Sequence, residues 1–357
     1  MAIEIRLLQS SESELANNFF NEIYRTHRPV ENFRWEFIDG PKGKAIYVVA
    51  VEQAETSRTK IVGIQCAIPL DLTQPDGTNV LTAKSEDTLV HPDYRGQKLF
   101  ERMYELLFEE CKKSGIKYIW GFTPALKAFQ RLGFEAPFQT TQGLLVFKPI
   151  QAFRYLSKLN TTNTVGEKIK IFGLCFLSYF AGLKRFFVSS TNANLQEVTP
   201  ANKEQAIKNF YSGADLYFLR LDNQYLQWRL FKNPFGNNYR NFKGEKNGNH
   251  EADILLNTRR DVSYIEMMLF SKKLSFKDRV GFVRKCVGIL ADADTPLART
   301  LCFGNNNQMT EQVNLLKHVG FLHLKRGNHF VWKSLDPENK VFVNKIFFSR
   351  LFTQGNV

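Results

Sequence analysis

The sequence predicts an α/β chain of two tandem domains, each with a mixed, mainly antiparallel sheet flanked by helices. Three observations predict it. Apolar, β-branched runs alternate with amphipathic helical segments through residues 3–148. At 357 residues the chain is long for one domain and natural for two. Landmarks of the first half return in the second at an offset of about 190 residues.

Taken in order, Ile3 to Leu8 alternates and reads as a strand. Ser11-Glu12-Ser13-Glu14 reads as a capping box opening a helix to about Arg25. Ala45 to Glu52 and Lys60 to Ile68 are apolar runs separated by a polar stretch, as in a hairpin. Lys84 to Val90 is the next strand. The loop His91 to Lys98 follows, then a helix to about Ser114 with Leu99, Phe100, Met103, Leu106, Leu107 and Cys111 on one face. Lys117 to Phe122 is a strand, and Pro124 opens a short helix closed by Gly133. Phe134 to Pro149 holds at least one more strand.

The stretch Val90 to Phe100 organises the first half. A loop that opens a helix leaves backbone N–H groups free and pointing one way, and Arg95 and Lys98 add charge. That is a cradle for a phosphate or pyrophosphate.

The residues Val90-His91-Pro92-Asp93-Tyr94-Arg95-Gly96-Gln97-Lys98-Leu99 resemble the acyl-CoA loop of the GNAT superfamily of N-acyltransferases. The family pattern Arg/Gln-x-x-Gly-x-Gly/Ala falls on Arg95, Lys98 and Phe100, so the arginine matches and both glycine positions differ. Phe129-Gln130-Arg131-Leu132-Gly133-Phe134 is similar to the family's Tyr-x-x-x-Gly-Phe helix end, with Phe129 in place of the tyrosine that often protonates the departing thiolate. The resemblance covers residues 3–148. It implies an acyl-CoA co-substrate, acetyl-CoA or a relative. The amides of residues 96–100 (Gly96, Gln97, Lys98, Leu99, Phe100), with Arg95, would hold the pyrophosphate. The backbone N–H of Leu89 or Val90 would bind the thioester oxygen.

Acyl transfer to an amine needs a base, an oxyanion donor and a proton for the thiolate. Glu86 and Asp87 lie beside the cradle, where the family often carries a glutamate base. Strand alternation sends them to opposite faces and places Glu86 with Thr88 and Val90, so Glu86 is the expected base. With phenylalanine at 129, the thiolate proton would come from water or another group; otherwise catalysis is weak or the site binds without reacting. Tyr94 and Tyr104 are candidate donors. Lys98, if its position needs a positive φ, carries a cost of about 1–2 kcal/mol, unless the loop has shifted. His91, ahead of Pro92, is expected to cap the loop.

The second half echoes the first. Trp35 and Trp228 are each followed at the same spacing by a proline, and His318-Val319-Gly320-Phe321 matches Arg131-Leu132-Gly133-Phe134. Thr199 and Pro200 read as the cap and first residue of a helix through Phe210. The strand Val262 to Phe270 runs into Ser271 to Asp278 with no glycine and no Arg-Gly, so the acyl-CoA site is expected in the first copy alone. The expected domains are 1–149, a basic and apolar linker 150–190, and a degenerate second domain 191–357. Within the linker, residues 168–187 are apolar with basic flanks. Ile171 to Leu183 is uncharged but short of the ~20 residues that cross a bilayer. It reads as a buried helix between domains or as a helix lying on an anionic membrane.

A net charge of +13 suits a basic soluble protein or an acidic partner. Basic and aromatic residues are not interleaved in a nucleic-acid module, so no nucleic acid is expected. Five scattered cysteines without a CxxC pair suggest neither disulfides nor a zinc site, and the six histidines show no metal spacing, so no metal is expected. No signal peptide is visible at the start, and the expected location is cytoplasmic. The leading expectation is an N-acyltransferase with a small-molecule or peptide amine as acceptor. The alternative is a catalytically degenerate acyl-CoA-binding or interaction protein, with possible peripheral membrane contact through 168–187.

Overall fold

The structure, a computed structural model, describes residues 3–53, 59–159, 164–187, 194–201, 203–211, 215–259, 261–304, 306–338 and 341–353. In chain order the first elements are β1 (Ile3–Leu7), α1 (Ser13–Tyr24), α2 (Val30–Phe37), β2 (Ile46–Glu52), β3 (Lys60–Thr73), β4 (Asn79–Val90), α3 (Leu99–Lys113), β5 (Tyr118–Thr123), α4 (Leu126–Arg131), β6 (Glu135–Gln139) and β7 (Thr141–Val146). Then come α5 (Pro149–Leu159), α6 (Val165–Gly182), β8 (Asn194–Val198), α7 (Glu204–Phe210), β9 (Tyr217–Leu219) and α8 (Asn223–Leu226). The last are β10 (Asn238–Lys246), β11 (Asn249–Thr258), β12 (Ser263–Phe270), α9 (Phe276–Asp292), β13 (Leu297–Cys302), α10 (Asn306–His318), β14 (Leu322–Leu324) and β15 (His329–Ser334).

The chain forms two compact units, and neither is continuous in sequence. The first holds residues 1–137, 216–235 and 329–345; the second holds 138–215, 236–328 and 346–357. This differs from the expected boundary at 149 and the separate linker 150–190. β7 pairs antiparallel with β13 and β14, whereas β15 pairs antiparallel with β5. Each half of the sequence therefore gives a strand to the other half's sheet.

The first unit's sheet runs β1-β2-β3-β4-β5-β15-β6, with β9 beside the far end of β3. β1–β2, β2–β3, β3–β4 and β5–β15 pair antiparallel, and β4 pairs parallel with β5. Side chains alternate between two apolar layers. On one face Val48, Ala50, Ala83, Ile119 and Val331 pack on Leu99, Met103, Tyr104 and Leu107 of α3. On the other Tyr47, Val49, Ile64, Cys66 and Ile68 pack on Ala16 and Phe19 of α1 and Phe33 and Phe37 of α2. The cap of the first helix is not the expected one. Glu12, in a short 3-10 turn, closes the box with Gln9 and is held by the Arg6 guanidinium at 2.7 and 2.6 Å. α1 ends at Arg25 in the left-handed conformation.

The second unit's sheet runs β14-β7-β13-β12-β11-β10-β8. One face packs on α9 and α10, through Phe282, Cys286, Leu290 and Leu316. The other packs on α5 and α6, through Ala152 and Cys175. Ser178 of α6 bonds both the Leu144 carbonyl and the Val146 N–H of β7. α7 starts at Glu204 rather than Pro200. Ser275 caps α9 and accepts from the Asp278 N–H at 3.2 Å. The chain is thus α/β, with two mainly antiparallel sheets flanked by helices.

Candidate active site

The site grows out of the end of β4. β4 pairs with β5 in parallel only over Thr82–Lys84 against Tyr118–Trp120. β5 comes close there because Gly121 lacks a Cβ, which would sit 3.1 Å from the Ser85 carbonyl oxygen. Beyond Lys84 the two strands have no shared ladder, while β3 still pairs with β4, through Ile64 with Leu89 and Gly63 with Val90. Backbone groups of β4 that alternate away from β3 are left without a strand partner. A cleft of about 540 Å³ opens here, walled by Thr88, Leu89 and Val90 on one side and Thr123, Pro124, Ala125 and Ala128 on the other.

Its floor is the loop and the start of α3. Arg95, Gly96, Lys98, Leu99 and Phe100 line the cleft, with Tyr94 and Glu101. Gly96 has φ 84 and Lys98 φ 55. The lysine therefore takes the left-handed conformation at a position where the resemblance has a glycine. Lys98 is the N-cap residue of α3, and no side chain caps that end. First-turn N–H groups of a helix have no partner within the helix, so this end attracts anions. Phe100 has two roles: it lines the cleft, and its ring packs on Tyr104 and Phe129 at 4.9 and 5.7 Å. His91 caps the loop, its Nδ1 accepting from the Asp93 N–H at 3.2 Å. Gln97 is exposed and does not line the cleft, and neither does Glu86.

Glu86 is displaced by a feature that alternation did not foresee. The β3–β4 register slips between Ile64 and Cys66, and Asp87 has φ 46. This is a bulge, which sets two successive side chains on the same face. Ser85 and Thr88 keep to the α3 side, where both reach the Tyr104 hydroxyl, at 2.8 and 3.4 Å. Glu86 and Asp87 both turn to the α1–α2 side, correcting the expectation that they face apart and that Glu86 shares a side with Thr88 and Val90.

There Asp87 is clamped. Arg28 meets its carboxylate with both terminal nitrogens, at 3.2 and 2.8 Å, and the Tyr47 hydroxyl donates at 3.1 Å. Arg28 is itself held by Asn17, and its guanidinium lies 3.9 Å over the Phe20 ring. Such a two-pronged, satisfied ion pair fixes the bulge against the cost of a left-handed aspartate.

Glu86 instead pairs with Lys84, and Glu36 of α2 lies in the same buried group. Burial pushes the Glu86 carboxyl up, against the pull of Lys84. Burial, with the negative charges of Glu86 and Asp87, pushes Glu36 up to about 7. Glu36 is thus a carboxyl that can hold a proton near pH 7, and burial raises its neighbour Glu86 in the same direction.

The two tyrosines named from the sequence part company. Tyr104 is fully buried and bonded to Ser85, and burial pushes its hydroxyl up. Tyr94 lines the cleft and accepts a bond from Lys60 Nζ at 3.1 Å. Tyr24, at the end of α1, also lines the cleft, and burial with the charges of Asp87 and Glu86 raises its hydroxyl. Tyr24, Glu36 and Arg28 were missed because no local motif marks them, so their signal is three-dimensional; Arg131, at the cleft wall, lay within the Phe129–Phe134 stretch but was given no role. Among the described residues no group of three His, Cys, Asp or Glu side chains is placed to hold a metal ion.

A parting pair of parallel strands, a bulged β4 and an anion-attracting loop ahead of a helix together define a cleft suited to a phosphate-bearing ligand in an α/β fold. The comparisons name the class. Residues 4–136 match the sequence model of the acetyltransferase (GNAT) domain, so this segment is similar to that domain.

Among solved structures the chain resembles a conserved protein of Enterococcus faecalis described as a probable N-acyltransferase, at 10% identity and TM-score 0.61, covering 94% of this chain and 73% of that one. It also resembles a tandem GNAT protein from the clavulanic acid biosynthesis pathway, at 13% identity and TM-score 0.54, covering 95% of this chain and 100% of that one. A third is the Saccharomyces cerevisiae N-myristoyltransferase with bound myristoyl-CoA, at 13% identity and TM-score 0.55, covering 97% and 84%. These likenesses are of fold. Among curated protein sequences none matches the chain.

Proposed function

We propose that the protein is an N-acyltransferase that moves an acyl group from acyl-CoA, acetyl-CoA or a relative, to an amine by direct attack on the thioester. The observation that carries this is the cleft itself. The unpartnered edge of β4, the Arg95–Phe100 loop and the uncapped start of α3 line one cavity.

The pyrophosphate would lie on the amides of residues 96–100, with Arg95 and Lys98 supplying charge. The thioester oxygen would take an N–H of Leu89 or Val90 on the free edge of β4. The amine must lose a proton to attack. Glu86, raised by burial and set on the α1–α2 side by the bulge, takes it, with Glu36 beside it to share the proton. Nitrogen bonds to the carbonyl carbon, the C–S bond breaks, and the thiolate takes a proton from water or from Tyr24 or Tyr94 at the cleft wall. Tyr104 does not serve, because Ser85 and Thr88 enclose its hydroxyl.

The second unit supports a single site in the first. Its corresponding helix, α9, is capped by Ser275 and carries Asp278 in its first turn, an acid where a phosphate would need free N–H groups. The acceptor is a small-molecule or peptide amine and the place of work the cytoplasm. The test is an acceptor screen with acetyl-CoA, reading thiol release, for wild type and Glu86→Gln. Release that depends on an amine and is lost in the variant supports the reading. Binding of acyl-CoA with no turnover on any amine favours a degenerate binding protein, the role that phenylalanine at 129 would suit.

A further inference from the structure

We infer that the outward face of α6, with the turn that follows it, docks on the surface of an anionic lipid bilayer. α6 is largely apolar beyond its first turn and a half, yet it needs only part of its circumference to pack on its unit's sheet. Cys175, Ser178 and Gly182 are buried on that side, where a Cβ on Gly182 would strike Leu145 at 2.7 Å. The opposite side carries Ile169, Phe172, Leu177 and Phe180, each with 47–66% of its surface in water. At 100° per residue Val165, Ile169, Phe172, Phe176 and Phe180 fall within roughly 80° of one another, a continuous ridge. The chain then leaves through a 3-10 turn that exposes Phe186 and Phe187, the latter 88% bare. Scattered exposed apolar residues are ordinary; a ridge of aromatics on one helix is a contact surface.

The charges choose the partner. Lys168 and Lys170 stand on either flank of the ridge, and Lys184 and Arg185 at its far end. Glu167 is the one carboxylate between residues 165 and 187, and it is bonded to Lys170 at 2.7 Å. A second copy docking ridge to ridge would bring these cations together in either orientation. An anionic surface neutralises them while the phenylalanines enter the headgroup layer. No helix among the described residues is long and apolar enough to cross a membrane, so α6 lies on the surface, held from behind by Ser178.

The test is co-sedimentation of the full chain with vesicles of phosphatidylglycerol and phosphatidylcholine in equal parts, against phosphatidylcholine alone. Binding is expected only with the anionic lipid, weakening roughly fivefold for each of Lys168→Gln and Lys170→Gln. Phe180→Ser should weaken it roughly tenfold with the melting temperature close to wild type, because that ring is mostly in water; Phe172→Ser should weaken it as much but also lower the melting temperature, because its ring packs on Phe153 and Phe176. A Phe180→Trp reporter should shift its emission to the blue with anionic vesicles. No pelleting and no shift, or binding indifferent to all four changes, would overturn the inference. So would a dimer in sedimentation velocity that Phe180→Ser converts to monomer, which would assign the ridge to a second copy.

Discussion

Trp35 and Trp228 stack with centroids 5.0 Å apart and planes 17° from parallel, and each donates its indole N–H to the other's backbone carbonyl, at 2.9 and 2.8 Å. The two residues are the matching landmarks of the duplicated motif, and reciprocal bonds of this kind are what a local two-fold relation produces. Both lie in the first unit, where residues 216–235 join residues 1–137. Replacing either with phenylalanine keeps a ring but leaves the facing buried carbonyl without its donor, at a cost of about 1–3 kcal/mol. Thermal melts of Trp35→Phe, Trp228→Phe and the double variant should show that loss singly, and a double cost that departs from the sum because the pair shares one contact. Two near-neutral singles would mean the bonds are replaced by water.

Lys98 holds φ 55 at the head of α3. Lys98→Gly should relieve about 1–2 kcal/mol of left-handed strain, partly offset by about 0.5–1 kcal/mol from the freer unfolded chain. The melting temperature should stay level or rise, while acyl-CoA affinity falls for want of the charge. Lys98→Ala, which loses the charge and keeps the strain, should lose affinity with no gain in stability. Differential scanning fluorimetry with and without ligand separates the two.

Glu86 predicts a pH profile. Its folded carboxyl is raised above 4.5 by burial, and only the ionised form accepts a proton. Activity should climb as pH rises through that raised value. Glu86→Gln should lower kcat by about 10²–10⁴-fold with KM for acyl-CoA unchanged. A parallel rise in that KM would instead make Glu86 part of the nucleotide site.

Glu36 predicts a stability profile. Its folded value, about 7, exceeds 4.5, so between those two pH values the folded state holds the extra proton. Stability therefore declines as pH rises from about 4.5 to about 7, by up to about 3 kcal/mol. Glu36→Gln, permanently neutral, should melt like wild type at pH ~5 and higher than wild type at pH ~8. A melting curve with the same pH dependence in both proteins would remove Glu36 from this role.

The strand–loop–helix that carries the proposed acyl-CoA site could be read from the sequence because it is local: Arg95, Gly96 and the apolar face from Leu99 lie within one turn and one helix. The bulge could not. Asp87 owes its conformation to Arg28, 59 residues away, and alternation is blind to such a partner. The duplication was visible in Trp35 and Trp228, but not that the tryptophans meet or that β7 and β15 sit in each other's sheets. Strand pairing at that distance carries no local signature. The helix placed at Pro200 begins at Glu204. The stretch 168–187 was open between burial and a membrane; α6 buries one face and leaves the other in water.

The central claim is that the cleft between β4, the Arg95–Phe100 loop and α4 binds acyl-CoA, and calorimetric titration of wild type and Gly96→Glu with acetyl-CoA tests it most directly. Gly96 has φ 84 with nothing within 4 Å of where its Cβ would lie, so the glutamate adds charge and backbone strain at the loop without a clash. Saturable binding to wild type, stabilising the fold by ~2.7 kcal/mol at a hundred times the dissociation constant and lost in the variant, is the predicted result. No binding to wild type at millimolar ligand, or equal binding to both proteins, would contradict it.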